Sequence, residues 1–409
     1  MRDCRLIAFL ALISSVPAFS QQPLTLAAAI REALERHPLI AAADGRVSTA
    51  QGLLEQAALK PNPRLTIQFE NIRGGWQSPY RPFIDNDQFL YLTQTLETAR
   101  KRESRTDLAT ANKALAGIAK DLLAQHIASQ VRDAYWTAAG AAAIARVYAE
   151  TITNFEQTVA YHEARVREGN MAEADLIRVR LEMERLRLSA SGATLASERA
   201  NINLQRELGR TAIETVIPLD ATLEGRSAIP PENTEEALNR RAEVRLARQG
   251  VTASAANEQL QLALAKPNID LSGGYKRTNG YDGLLAYLNM DLPWHNKNQG
   301  NIAAAGAETR VARSNVAAAE AMVRAEVRAA YTAYRLRQTQ ISTMLDALTA
   351  RARETARIAQ GAYREGGTDL LRLLDAERVR LETDLLRVHA LTEFRLSESA
   401  VESAMGVLP

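Results

Sequence analysis

A single cysteine, Cys4, stands in 409 residues, and it precedes a largely apolar run from Leu6 to Val16. Arg2 and Arg5 lie ahead of that run and the small residues of Ala18-Phe19-Ser20 behind it, so residues 1–20 are expected to be a secretory signal peptide. Cleavage there removes the only thiol, and Cys4 is on the wrong side of the run to accept a lipid. Disulfides and thiolate metal sites are thereby excluded from the exported chain. Long apolar runs are missing as well. Past residue 20 nothing approaches the roughly 18 residues of a membrane helix, and the nearest stretch, Ala138 to Ala149, carries Arg146. The chain therefore stays in water or enters a membrane as β-strands.

Charge of one sign is lacking too. The formal net charge is +2, and no Lys/Arg-rich tract carries interleaved aromatics, which argues against nucleic acid as a partner. Catalytic patterns are absent. The five histidines (His37, His126, His162, His295 and His389) are scattered, with no pair at zinc-site spacing. Neither a phosphate-cradling glycine loop nor a nucleophile elbow occurs. The expectation is no enzyme, no cofactor and no resident metal.

What the sequence does contain is a duplication. Val131-Arg132-Asp133-Ala134-Tyr135 returns as Val327-Arg328-Ala329-Ala330-Tyr331, and Arg167-Glu168-Gly169 returns as Arg364-Glu365-Gly366. Leu208-Gly209 returns as Met405-Gly406 at the same offset as the Arg-Glu-Gly turn. Thr98 to Arg165 has no proline, and about 65 helical residues would make a rod of roughly 100 Å. Such a rod packs only beside others of its kind. On its counterpart, Ile341, Leu345, Leu348 and Ala352 form a narrow apolar stripe of the coiled-coil type.

Ahead of each rod the period changes. Thr25 can cap a helix from Leu26, His37-Pro38 interrupts it, and Lys60-Pro61-Asn62-Pro63 stops it. Leu65, Ile67 and Phe69 then alternate with polar residues, and a second strand is expected over about Gln88 to Leu96. In the second copy Lys266-Pro267-Asn268 precedes alternation at Ile269 and Leu271, and Asn279-Gly280 turns into a strand through Leu284, Leu288 and Leu292. The expected plan is a first repeat over 21–210 (β-hairpin 64–96, helical hairpin 98–209), a connector over 211–233, and a second repeat over 234–409. The second repeat holds a β-hairpin at 268–292 and a helical hairpin at 298–406.

Four strands of about nine residues, apolar on one face and polar on the other, suit an outer-membrane barrel. They cannot close one, and open edges are not tolerated in hydrocarbon, so copies would have to pool strands. Three copies would supply 12 strands and as many rods. The other reading of the same pattern is a soluble four-stranded sheet on a helical stalk. The corresponding functions are a passive export duct and a soluble periplasmic coiled-coil adaptor or scaffold.

The layout resembles the TolC family of outer-membrane efflux ducts across the mature chain. Lys60-Pro61-Asn62-Pro63, Glu70-Asn71 with Gly74-Gly75, Gln94-Thr95-Leu96-Glu97 with Arg100-Lys101-Arg102, and Asp291-Leu292-Pro293 with Asn298-Gln299-Gly300 are most similar to its CzcC-like heavy-metal branch. The resemblance implies a mainly α fold with a small β part. Three chains would form a trimeric α-barrel and a 12-stranded β-barrel in the outer membrane of a Gram-negative bacterium. It implies a periplasmic adaptor and an inner-membrane pump, of the proton-driven RND type, as partners, with heavy-metal cations as cargo. It also implies a periplasmic gate where the long helices turn. Asp175, Tyr363 and Asp375 match the family's gate positions, Arg364 lies beside them, and Arg372 departs from the pattern where an acid is usual. Arg372 and Asp375 could pair instead, and Asp175 and Tyr363 are expected to take part in a link between subunits. Leu65, Ile67, Phe69, Ile269 and Leu271 are expected to face lipid, with Gln68 and Ser272 on the tolerant side.

Overall fold

The computed structural model describes residues 23–72, 81, 84–213, 216–225 and 228–407. The expected signal peptide, and Gly74-Gly75 with most of the loop around them, lie outside the described residues.

Thr25 accepts the Ala28 N–H at 3.2 Å and starts helix α1, Leu26–Arg36. His37 ends it and opens α2, Pro38–Ala58, by accepting the Leu39 N–H on its ring at 3.1 Å. Proline at the first helical position forfeits only a donor that has no partner there. The two prolines beyond α2 lead into β1, Arg64–Glu70, which pairs with β2, Asp87–Leu96. Next come α3, Lys101–Arg167, and α4, Glu173–Glu207. The second half repeats the order with α5, Thr234–Arg240, α6, Ala242–Leu264, β3, Ile269–Thr278, and β4, Tyr281–Met290. It ends with α7, Gln299–Gln340, a π-turn at Ile341–Leu345, α8, Asp346–Arg364, and α9, Leu370–Ala404. Strand β4 ends at Met290, so Leu292 falls beyond it.

Four helices end alike. At Gly169, Gly209, Gly366 and Gly406 the backbone turns left-handed, with φ between 66° and 77°. In each case the following residue's N–H reaches back five positions, as from Asn170 to Arg165 and from Gly367 to Ala362. Glycine adopts that geometry without a Cβ penalty.

Two of these glycines do more than end a helix. A Cβ on Gly209 would sit 2.7 Å from the His37 ring, and one on Gly406 3.3 Å from Arg240 Cβ. The end of α4 therefore abuts the start of α2, and the end of α9 abuts the start of α6. Arg241 bridges the second junction, donating to the Ala404 carbonyl at 3.3 Å and pairing with Glu243 and Glu326. A cation at a helix C-terminus offsets its partial negative charge.

The helices thus build four rods: α4 with α2, α3, α9 with α6, and α7 with α8. Helices α2 and α4 both pack on α3, while α6 and α9 pack on both α3 and α7. The order across this wall is the order of the sheet, β1-β2-β3-β4. One rod continues below each strand.

Buried phenols tie the wall to its irregular surroundings. Tyr135 donates toward the carbonyls of Leu24 and Asp220, and Tyr331, its counterpart in the repeat, toward Pro230. Burial pushes the Tyr135 phenol up to about 12, with the Asp220 charge adding to the shift.

The stripe expected on the second long helix is displaced. Ser342 and Thr343 both bond back to the Thr339 carbonyl, at 3.3 and 2.7 Å, where the helix widens into the π-turn. The extra residue rotates the helix beyond it. Leu345 and Ala352 are buried, but Thr349 takes the inward position and Leu348 is 45% exposed.

Candidate functional site: the two ends of the wall

At the sheet end, register decides which side chains share a face. Ile67 lies opposite Leu90, Leu90 opposite Tyr275, and Tyr275 opposite Leu284. The neighbouring rows on that face are Leu65-Leu92-Gly273-Ala286 and Gln94-Leu271-Leu288, then Leu96-Ile269-Met290. Apart from Gln94 these rows are apolar across all four strands and open, with Leu65 and Ile67 each 62% exposed and Leu284 89%; the next row outward, Phe69-Gln88-Arg277-Asp282, is polar beyond Phe69. Phe69 and Leu271 are exposed on this face too, while Ile269, near the rods, is half-buried.

The opposite face is polar and knitted together. Thr93 and Ser272 share a hydrogen bond of 2.8 Å, Thr95 donates to Asp270 at 2.6 Å, and Tyr91 meets Tyr287 edge-on. Gly274 leaves room there, since a Cβ would collide with the Leu90 carbonyl. Ser272 lies under this cover at 1% exposure. It is therefore not the tolerant position that alternation suggested, whereas Gln68 is exposed.

The strands are joined to the rods by the motif residues. Gln94 donates to the Pro61 carbonyl at 3.0 Å, Thr98 donates to that of Pro267, and Lys101 reaches Asn268 at 2.5 Å. Arg105 pairs with Glu97 at 2.6 Å and donates to the last carbonyls of α2. Donors with fixed acceptors at this junction hold the angle between sheet and wall.

At the other end, α3 turns into α4 and α8 into α9. Phe155, Val179, Met183, Leu370 and Leu373 pack between the two hairpins, and Tyr363 leans on this cluster. The Tyr363 hydroxyl lies 2.8 Å from His162 Nε2, and the two rings stack 5.5 Å apart. His162 is fully buried. Burial raises the Tyr363 phenol above its ordinary range, the Asp175 charge adds to this, and Arg165 opposes it. The Asp175 charge thus acts on the tyrosine, but the hydroxyl is bonded to His162 in the same chain.

Arg364, Arg372 and Asp375 are exposed around the cluster. Arg372 and Asp375 do not pair. Asp375 binds Arg378 at 2.7 Å, and Asp369 caps α9 by accepting the Arg372 N–H at 2.9 Å. The acid-before-base order favours the Asp375–Arg378 pair over the reverse one. Sequence reasoning missed His162. Its signal was a polar residue at helical spacing with Phe155 and Val159, on a stripe where a buried polar group requires a partner.

Among the described residues no group of three or more His, Asp or Glu is placed to hold a metal ion, and no helix is long and apolar enough to cross a membrane. The sequence model for outer membrane efflux proteins matches residues 29–210 and 233–407. The chain belongs to the outer membrane efflux protein family. Cobalt-zinc-cadmium resistance protein CzcC of Cupriavidus metallidurans is a relative, 22% identical over 413 residues, which cover 96% of this chain and 93% of that one. Among solved structures, CusC superposes with a TM-score of 0.78 at 19% identity, covering 93% of this chain and 92% of the other. VceC of Vibrio cholerae, an outer membrane protein, gives 0.75 at 20%, covering 93% and 96%. The fold of these solved structures is therefore the fold of this chain: tandem helical hairpins beside a four-stranded antiparallel sheet.

Proposed function

We propose that the protein is the outer-membrane duct of a tripartite export system and works as a homotrimer. The observation that carries this is the sheet: one apolar face is open, the other is polar, and β1 and β4 are left as edges in line with the outermost rods. Such an element is stable in lipid only when its edges are paired. Joining β4 of one copy to β1 of the next is a head-to-tail contact, which closes as a ring. Lipid meets Leu65, Ile67, Phe69, Ile269 and Leu271, and water fills the polar side. The rods continue the tube through the periplasm to an adaptor and an inner-membrane RND pump. The duct itself consumes nothing and performs no reaction.

Heavy-metal cations are the proposed cargo, supported by the relative named for cobalt, zinc and cadmium resistance. Fractionation separates this reading from that of a soluble periplasmic adaptor or scaffold. The folded protein is expected with outer membranes, and its recovery in the soluble periplasmic fraction would sink the duct. Deletion is expected to sensitise cells to divalent metals, and unchanged tolerance would remove the metal assignment alone.

The turn end is proposed as the gate, built from Asp175, Tyr363, Arg364, Arg372 and Asp375 near the axis. Replacing Asp175 with Ala together with Tyr363 with Phe removes contacts worth about 0.5–3 kcal/mol each. Resting conductance is expected to rise, and a wild-type level in the double variant would place the gate elsewhere. Asp375→Asn is expected to weaken block by multivalent cations only modestly, because Arg378 already neutralises that carboxylate.

A further inference from the structure

We propose that His162 is the positioning residue for Tyr363, locking the two helical hairpins of one chain together at the turn end. This rests on reading that end as the closed end of a duct.

The contacts determine the tautomer. His162 Nδ1 lies 2.7 Å from the Thr158 carbonyl, which can only accept, so Nδ1 carries the proton. Nε2 then offers a lone pair, and the Tyr363 hydroxyl, 2.8 Å away, donates to it. The two residues are 201 positions apart in the chain, one on α3 and the other on the last turn of α8. Their bond is thus a cross-link between the hairpins. Tyr161 stands edge-on to both rings, at 5.7 Å from His162 and 6.4 Å from Tyr363, and limits their tilt. Full burial of His162 keeps water from competing for Nε2.

The consequence concerns where the phenol proton points. Held by His162, it is directed into α3, while the Asp175 charge on α4 acts on the same phenol. Without the imidazole lone pair the hydroxyl is free to turn to Asp175 or to water, and the end of α8 loses its polar tie to α3. The groups facing this site are Tyr161 and Arg165 on α3, Asp175 on α4 and Tyr363 on α8, while α9 contributes Leu370 and Leu373.

The test is resting conductance of the purified full-length channel in planar bilayers, for His162→Phe, His162→Gln, Tyr363→Phe and the double Phe variant. Phe keeps the ring and loses the bond; Gln keeps an acceptor. His162→Phe and Tyr363→Phe are each expected to raise resting conductance roughly five- to tenfold, the loss of one buried hydrogen bond. The double variant should go no further than either single, because both remove one bond. His162→Gln should remain near the wild type. A His162→Phe channel as closed as the wild type overturns the proposal, as does a double variant that multiplies the two single effects. If His162→Phe does not assemble, His162→Gln against Tyr363→Phe decides, and a Gln variant as open as Tyr363→Phe counts against the role. Variants that open as expected only for Tyr363 leave the duct standing and remove His162, whereas no current from any protein removes both.

Discussion

Arginine at Ile67 or Leu271 is expected to cost about 2–4 kcal/mol of barrel stability per chain if the site lies near the bilayer midplane. In a trimer each substitution is present three times, so folded trimer should fall sharply while monomer accumulates. Both side chains stand on the open apolar face, at 62% and 52% exposure. Arginine at Gln68, on the other face and exposed, should assemble normally. Ser272 shares that face but is covered by Thr93 and Tyr287, so arginine there should fail for want of room rather than for contact with lipid. Heat-modifiable mobility of the trimer on gels reads all four. Equal tolerance at Ile67 and Gln68 would contradict a barrel in this register.

The second large effect is expected at Arg132, deep between the hairpins. Its guanidinium is 3% exposed, lies 3.1 Å from Glu402 and donates to the Val407 carbonyl at 2.8 Å. Burial lowers the Arg132 pKa and raises that of Glu402, in each case against the attraction of the partner. The pair therefore gains little over the water it replaced, but one member without the other is costly. Arg132→Met is expected to lose about 3–5 kcal/mol in denaturant unfolding, and adding Glu402→Leu to recover most of it. The pH dependence has a definite sign. A carboxyl whose folded pKa is raised binds its proton more tightly in the folded state, so stability falls as pH climbs from the ordinary 4.5 through the folded value. Arg132→Met removes the opposing charge and should steepen that fall. If Arg132→Met is as stable as the wild type at neutral pH, the ion pair does not join the hairpins.

Much of this architecture is written in local chemistry. Thr25, the Lys60–Pro63 breaker and the glycines at 169 and 366 act on their own neighbours, so their effects can be read one segment at a time. Strand parity at Leu65, Ile67 and Phe69 is equally local. What stayed hidden depends on contacts between distant segments. Nothing near Gly209 announces that His37 will stand on it, nor near Gly406 that Arg240 will. The π-turn arises where two hydroxyls compete for one carbonyl, and a single extra residue there exchanges Leu348 for Thr349 in the packed stripe. At the turn end the family positions were legible, but the bond made by Tyr363 was not. His162 has Ala359 at the equivalent place in the second repeat, so the duplication offered no hint of it.

The duct is tested most directly by the current through the purified wild-type protein in a planar lipid bilayer. A water-filled trimeric barrel with a closing turn end predicts discrete, steady conductance steps, small at rest and larger in Tyr363→Phe. A folded protein that partitions into the bilayer yet passes no current under any of these conditions would contradict it.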